Sequence, residues 1–333
     1  MDNRIERIKP GSAENILKSN NMNQWLKIAS ETPLPKKLCG DLFVEGETVF
    51  LFADANVGKS LFAYQIAESI ASGKPISDAL PVETEPQKVL LFDFEMSIKH
   101  LEKRYSGYTF SSNFIRYQLD RDAFITDDLE KVIYKEIESV IISTRAKVGI
   151  IDNITYIKSH AEKTDEAAKF MREINQLRAK LNLSVLVLTH TPKRDMKQPI
   201  SENDMIGSKN LTNAADASFT IGRSSKGQNI RYIKQTKCRL GEHVYHAGNV
   251  LDCEIIQRDD HFTGFQLNGY SPEFSHLKRV TETDKRDSEI YELKQQGLTY
   301  KQIAEQLNIH ENTVKNSVKR HREQENEFEE MPF

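Results

Sequence analysis

The chain has 333 residues, 38% hydrophobic and 29% charged, with a formal net charge of -3. That length has room for a full catalytic domain and a smaller accessory one, and the composition is too apolar for wholesale disorder. Cys39, Cys238 and Cys253 are odd in number and form no CxxC pair, which argues against a disulfide framework or a zinc site.

No window approaches the ~18 consecutive apolar residues of a membrane span, and the polar start lacks the apolar core of a signal peptide, so a cytoplasmic protein with no membrane partner is expected. Residues 1–35 read as a polar N-terminal arm with one short helix around Trp25. From 36 to 269 short apolar runs alternate with helical patterns, the signature of an α/β domain with a mostly parallel sheet.

The runs "ETVFLFAD" (47–54), "KVLLFDF" (88–94), "KVGIID" (147–152) and "LSVLVLTH" (183–190) are buried strands. Between them Leu129, Val132, Ile133, Ile137, Val140 and Ile141 repeat at helical spacing, as do Phe170, Met171, Ile174, Leu177 and Leu181, and these stripes are core. After Thr212, runs such as "ASFTIG", "NIRYIKQTKCR" and "GFQLNGY" predict a closing set of mostly antiparallel strands. Residues 270–283 carry a proline, mixed charge and no period, and read as a linker.

The first run leads into "FADANVGKS" (52–60), a phosphate-binding loop with Ala53 where a glycine is usual. Backbone N–H groups of Ala53, Asp54, Ala55, Asn56, Val57, Gly58, Lys59, Ser60 and Leu61 would surround phosphates at a helix N-terminus, with Lys59 on the β and γ oxygens and Ser60 on Mg²⁺. The first position has only to make the turn out of the strand, which an alanine at negative φ can do.

Asp152, ending its strand, is the candidate second Mg²⁺ ligand. Glu95 in "FDFEMS" is the candidate general base for the attacking water, with Asp93 either a competitor or a simple strand-end residue.

A phosphate loop, a strand ending in "FEMS", a strand ending in Asp and one ending in "TH" together resemble the RecA-type ATPase core, particularly the DnaB and plasmid RepA helicases, over roughly residues 36–268. The resemblance implies ATP and Mg²⁺ as ligands and a homo-hexameric ring around single-stranded DNA. It gives His190 the role of a γ-phosphate sensor, where an isolated histidine would be read as a satisfied strand-end residue. It also implies that Lys237 and Arg239 of "QTKCRLGE" reach a neighbouring subunit's nucleotide; without it they are two solvated cations.

The loops after the second and third carboxylate- and histidine-ending strands carry Lys158 and Lys163, then Lys193, Arg194, Lys197 and Lys209, which by position in such rings would grip single-stranded DNA. The C-terminal segment 284–322 has two predicted helices and a turn at Asn308–His310 before a third helix carrying Asn312, Thr313, Lys315, Asn316, Lys319 and Arg320 outward. This helix-turn-helix resembles the tri-helical module of sigma factors and response regulators, implying duplex DNA as a partner; a protein-interaction module is the alternative.

Residues 323–333 form an acidic tail whose Glu329, Glu330, Pro332 and Phe333 resemble the tail of bacterial single-stranded-DNA-binding proteins, implying host proteins that read it. A solubilising tail or a mask over the basic third helix is the bland alternative.

The readings in contention are a ring-forming DNA helicase or translocase of a plasmid or mobile element, a RecA-like regulatory ATPase that does not unwind DNA, and a non-enzymatic site-specific DNA-binding protein.

Overall fold

The computed structural model describes residues 19–120, 129–153, 164–191, 195–205, 213–278 and 282–319. Residues 1–35 and 36–333 form two compact units. In the first, helix α1 (Met22–Glu31) starts at Asn21, whose side chain accepts from the Gln24 N–H while Gln24 reaches back to the Asn21 N–H. This reciprocal cap satisfies two donors that would otherwise be orphaned.

In the second unit the described residues form a nine-stranded sheet in the order β11-β10-β9-β8-β3-β7-β6-β4-β5. The strands are β3 (Thr48–Ala53), β4 (Val89–Asp93), β5 (Phe114–Gln118), β6 (Val148–Asp152), β7 (Ser184–His190), β8 (Ala217–Arg223), β9 (Ile230–Cys238), β10 (Val250–Gln257) and β11 (Thr263–Ser271). A short separate pair, β1 (Lys37–Cys39) and β2 (Phe43–Val44), precedes them. The four apolar runs are strands as expected, and β3 to β8 are mutually parallel across the sheet.

Expected among the antiparallel strands, β8 instead runs parallel to β3, because the chain returns to the start edge of the sheet before entering it. Only β9, β10 and β11 alternate in direction.

Helix α2 (Lys59–Ser72) packs on one face of the sheet, where Leu51, Phe62, Ile66, Leu91, Ile150 and Leu188 share one core. Helices α4 (Leu129–Thr144) and α5 (Thr164–Leu181) cover the other, α3 (Ile98–Tyr105) following β4. There Ile133, Ile137, Ile141, Phe170, Met171, Ile174 and Leu177 are buried against Phe50, Phe52 and Phe92. Among the described side chains of the predicted stripe, Val132 points outward, at 37% exposure. Each fully buried side chain of this size contributes about 1.5–3 kcal/mol of transfer free energy.

Read from sequence as linker, residues 270–278 are instead part of this unit. Glu273 is 1% exposed and accepts the Ile200 N–H at 2.8 Å, while its other oxygen pairs with Lys234 Nζ at 2.5 Å. His276 is buried too, between Asp252, Ser271 and Ser224. Mixed charge here marks a paired interior.

Helices α6 (Glu282–Gln295) and α7 (Tyr300–Gln306) and a third, α8, over residues 311–319, enclose their own small core of Ile290, Ile303, Ala304, Val314 and Val318. The Thr299–Gln302 capping box opens α7, and Gly297 makes the preceding turn at φ 92°. Asn312, Lys315, Asn316 and Lys319 are exposed on α8, with Thr313 half-buried.

Candidate active site

The carboxyl ends of four neighbouring strands converge in the order β3, β7, β6, β4. This order brings together residues far apart in sequence: Lys59 after β3, His190 at the end of β7, Asp152 at the end of β6 and Glu95 just past β4.

Ala53 is the last residue of β3 and fully buried, and its φ is negative; the turn is made by Asn56 at φ 57° and Gly58 at φ 111°. The missing glycine is therefore no defect. Gly58 is needed twice over, since a Cβ there would sit 2.9 Å from the Phe265 ring in a left-handed conformation. Arg231 donates to the Val57 carbonyl at 3.0 Å and Arg223 to that of Ala55 at 2.8 Å, bracing the loop from β8 and β9.

Lys59 Nζ donates to the carbonyls of Ala53 at 2.8 Å and Asp54 at 2.9 Å and lies 3.0 Å from His190 Nδ1. Burial lowers its pKa to about 8 against the pull of Asp152, Glu95 and Asp54. On the other side of the ring, His190 Nε2 lies 3.4 Å from Glu95 Oε1. Asn153 stands between them, its Nδ2 2.5 Å from Glu95 Oε1 and 2.7 Å from His190 Nε2. The hydrogen bond from His190, reinforced by the charges of His190 and Lys59 and by the Asn153 amide, holds the Glu95 carboxyl below the usual carboxylate range despite partial burial. Glu95 is thus ionised at neutral pH, as a base must be.

Asp152 is 1% exposed, and neither carboxylate oxygen has a hydrogen-bond partner of ordinary length among the described residues. Burial pushes its pKa up to about 7; the nearby Ser60 hydroxyl and Lys59 oppose the rise, and Asp93 and Glu95 add to it. An unpartnered buried carboxylate beside a hydroxyl is a costly arrangement unless a cation completes it. One carboxylate, one hydroxyl and substrate phosphates are an oxygen set suited to Mg²⁺. Among the described residues there is no cluster of three or more acidic, His or Cys side chains that would form an all-protein metal cage.

The family model described as AAA domain matches residues 17–196, over half of the chain. The chain belongs to this AAA-domain family. The match spans the phosphate loop, Glu95, Asp152 and His190, so the AAA domain holds the whole constellation described above. A second model, sigma-70 region 4, matches residues 284–324 and covers the three C-terminal helices. Among solved structures, the KaiC-like protein PH0186 from the hyperthermophilic archaeon Pyrococcus horikoshii OT3 is similar at 16% identity and TM-score 0.48, over 67% of this chain and 91% of that one. A search of curated proteins gives no match. An α/β AAA domain with a phosphate-loop sequence, followed by a C-terminal helix-turn-helix that matches sigma-70 region 4, is the architecture of this chain.

Lys237 and Arg239 lie beyond the AAA-domain match, at the opposite edge of the sheet. Cys238 pairs with Ala217, which is level with Val49 near the start of β3. The run from Val49 to Ala53, about 13 Å at ~3.3 Å per residue, separates them from their own phosphate loop. Arg239 pairs with Asp216 at 3.0 Å and donates to the Asn213 carbonyl, and Lys237 is 4.0 Å from Glu202.

Of the loop cations, Lys197 is described, its backbone N–H capping on Asp195. Lys158, Lys163, Lys193, Arg194 and Lys209 lie outside the described residues, as do Arg320 and the tail residues Glu329, Glu330, Pro332 and Phe333. No helix of the described residues is long and apolar enough to cross a membrane. Sequence reasoning missed Asn153, Arg223 and Arg231; the position of Asn153 directly after Asp152 was the one available signal.

Proposed function

We propose that the chain is an ATP-driven, ring-forming DNA translocase or helicase serving a plasmid or other mobile element, assembled as a homo-hexamer around single-stranded DNA. One observation carries the reading: Lys237 and Arg239 sit at the sheet edge remote from their own phosphate loop, so a phosphate contact by them requires a second copy. Hydrolysis then depends on assembly.

In this reading Lys59 leaves the Ala53 and Asp54 carbonyls for the β and γ oxygens of ATP, and Ser60 and Asp152 hold Mg²⁺. Held there, Mg²⁺ would supply countercharge to the phosphates. Glu95 orients the attacking water and accepts its proton, while Asn153 and His190 fix the carboxylate. His190, losing its partner Lys59 to the phosphate, reports the nucleotide state to the loop that follows β7. Arg239 of the next copy stabilises charge developing in the transition state.

The test is ATP hydrolysis with and without single-stranded DNA, followed by unwinding of a forked duplex. Hydrolysis that ignores DNA, with no unwinding, sinks the proposal.

The sigma-70 region 4 match favours a second reading, a regulatory ATPase anchored on duplex DNA that switches assembly without unwinding. DNA-stimulated hydrolysis with an intact fork would select it. A purely structural nucleotide site is disfavoured because it needs no ionised Glu95. For the acidic tail, recruitment of host proteins that read such tails is proposed, and titration of an "ENEFEEMPF" peptide with one of them decides it.

A further inference from the structure

Asp93 is fully buried at the end of β4, two residues before Glu95, and its carboxylate is saturated. Oδ1 accepts the backbone N–H groups of Glu95 at 3.1 Å and Met96 at 2.8 Å. Oδ2 accepts the Tyr64 hydroxyl at 2.8 Å and Arg116 Nε at 2.9 Å. Arg116, on β5, also donates from Nη2 to the Met96 carbonyl at 2.5 Å. The Phe94 N–H is taken by the Asp152 carbonyl at 2.7 Å.

The backbone of the turn that carries Glu95 is thus fixed from four elements: β4 through Asp93, β5 through Arg116, β6 through Asp152 and α2 through Tyr64. Tyr64 lies on the helix that begins with Lys59. The phosphate-binding helix and the turn holding the base share one carboxylate. A reacting group misplaced by 1 Å can lose about 100-fold in rate, so this attachment has a catalytic consequence.

We propose that Asp93 and Arg116 are positioning residues for Glu95, setting the distance between the base and the bound phosphates; the proposal rests on the reading of Glu95 as general base. Asp93 neither competes with Glu95 nor merely ends a strand. Its four donors leave it no lone pair for a water, and its burial keeps it from substrate.

The experiment measures ATP turnover and the affinity for a non-hydrolysable ATP analogue in Arg116→Gln, Arg116→Lys and Tyr64→Phe, with Glu95→Gln beside them. Arg116→Gln is expected to lower kcat about 10- to 100-fold with KM and analogue affinity unchanged. Arg116→Lys should recover part of the loss, because an ammonium can reach Asp93 but not grip Asp93 and Met96 together. Tyr64→Phe keeps the packed ring and removes one donor, so a smaller fall in kcat alone is expected; it decides the matter if Arg116→Gln does not fold. Wild-type kcat in the folded variants, or kcat and analogue affinity falling together, overturns the proposal. Should Glu95→Gln itself turn over ATP normally, the general-base reading fails first, and with it this one.

Discussion

Lys59 Nζ and His190 Nδ1 are 3.0 Å apart across the boundary between β3 and β7, and the same imidazole faces Glu95 on its other nitrogen. The candidate phosphate-binding cation and the candidate base are therefore joined through one ring. Thr191, next in the chain, hydrogen-bonds to the Asp54 carboxylate, tying the following loop to the phosphate loop.

Replacing either end of this chain separates binding from chemistry. Lys59→Ala should lose turnover by roughly 100-fold or more, since the reading places its ammonium on the phosphates. Glu95→Gln should retain nucleotide and lose hydrolysis by roughly 100- to 10,000-fold. Single-turnover hydrolysis beside equilibrium nucleotide binding checks both.

The middle of the chain is tested by Asn153→Ala. Freed from the amide 2.5 Å away, the half-exposed Glu95 side chain samples other rotamers. Turnover should fall roughly tenfold with KM unchanged. A rise in KM without loss of kcat would show that Asn153 serves binding instead.

Arg239→Ala should bind ATP and hydrolyse it poorly. Mixed with Lys59→Ala, it should regain activity at interfaces that pair an intact phosphate loop with an intact arginine. Mixtures that form joint oligomers yet never exceed the sum of the separate variants rule the trans role out.

Removal of the C-terminal module should weaken duplex DNA binding and leave ATP hydrolysis. The cut belongs after Lys278, because ending the chain before Glu273 would strand the Lys234 ammonium beneath the surface. Within the module, Lys315→Ala and Lys319→Ala should each reduce the salt slope of duplex binding by about 1, and Arg320→Ala likewise.

Glu47, at the start edge of the sheet, gives the fold a pH dependence. Burial and the charge of Asp216 raise its pKa from 4.5 to about 7, with Arg178 and the Val44 N–H opposing. A carboxyl with a raised folded-state pKa contributes stability that is present below its unfolded value and lost as pH rises through the folded one. Glu47→Gln should therefore exceed the wild type at pH 8 by up to about 3 kcal/mol and match it below about pH 4, as read by urea denaturation.

The residues whose convergence was legible in the sequence are those announced by position at the end of a strand. Lys59, Asp152, His190 and Glu95 each follow an apolar run, and a parallel sheet gathers such ends at one edge. The helix-turn-helix was legible for a related reason, its capping box and apolar spacing being local. What stayed hidden are pairings between distant segments. Arg116 meets Asp93, Arg231 meets Val57 and Lys234 meets Glu273, each across strands whose order no periodicity states. The linker was misplaced for the same reason: Glu273 looks like solvated charge until Lys234 is found beside it.

The clamp at Glu273 also sets the length of a leash. With the chain held down as far as Lys278, only the steps to Glu282 remain before α6 begins, and four extended residues reach about 14 Å. In the proposed reading, a duplex bound by the exposed cations of α8 would be confined to the near surroundings of the AAA domain. On that reading, residues inserted between Lys278 and Glu282 would let the AAA domain act on strands farther from the bound duplex.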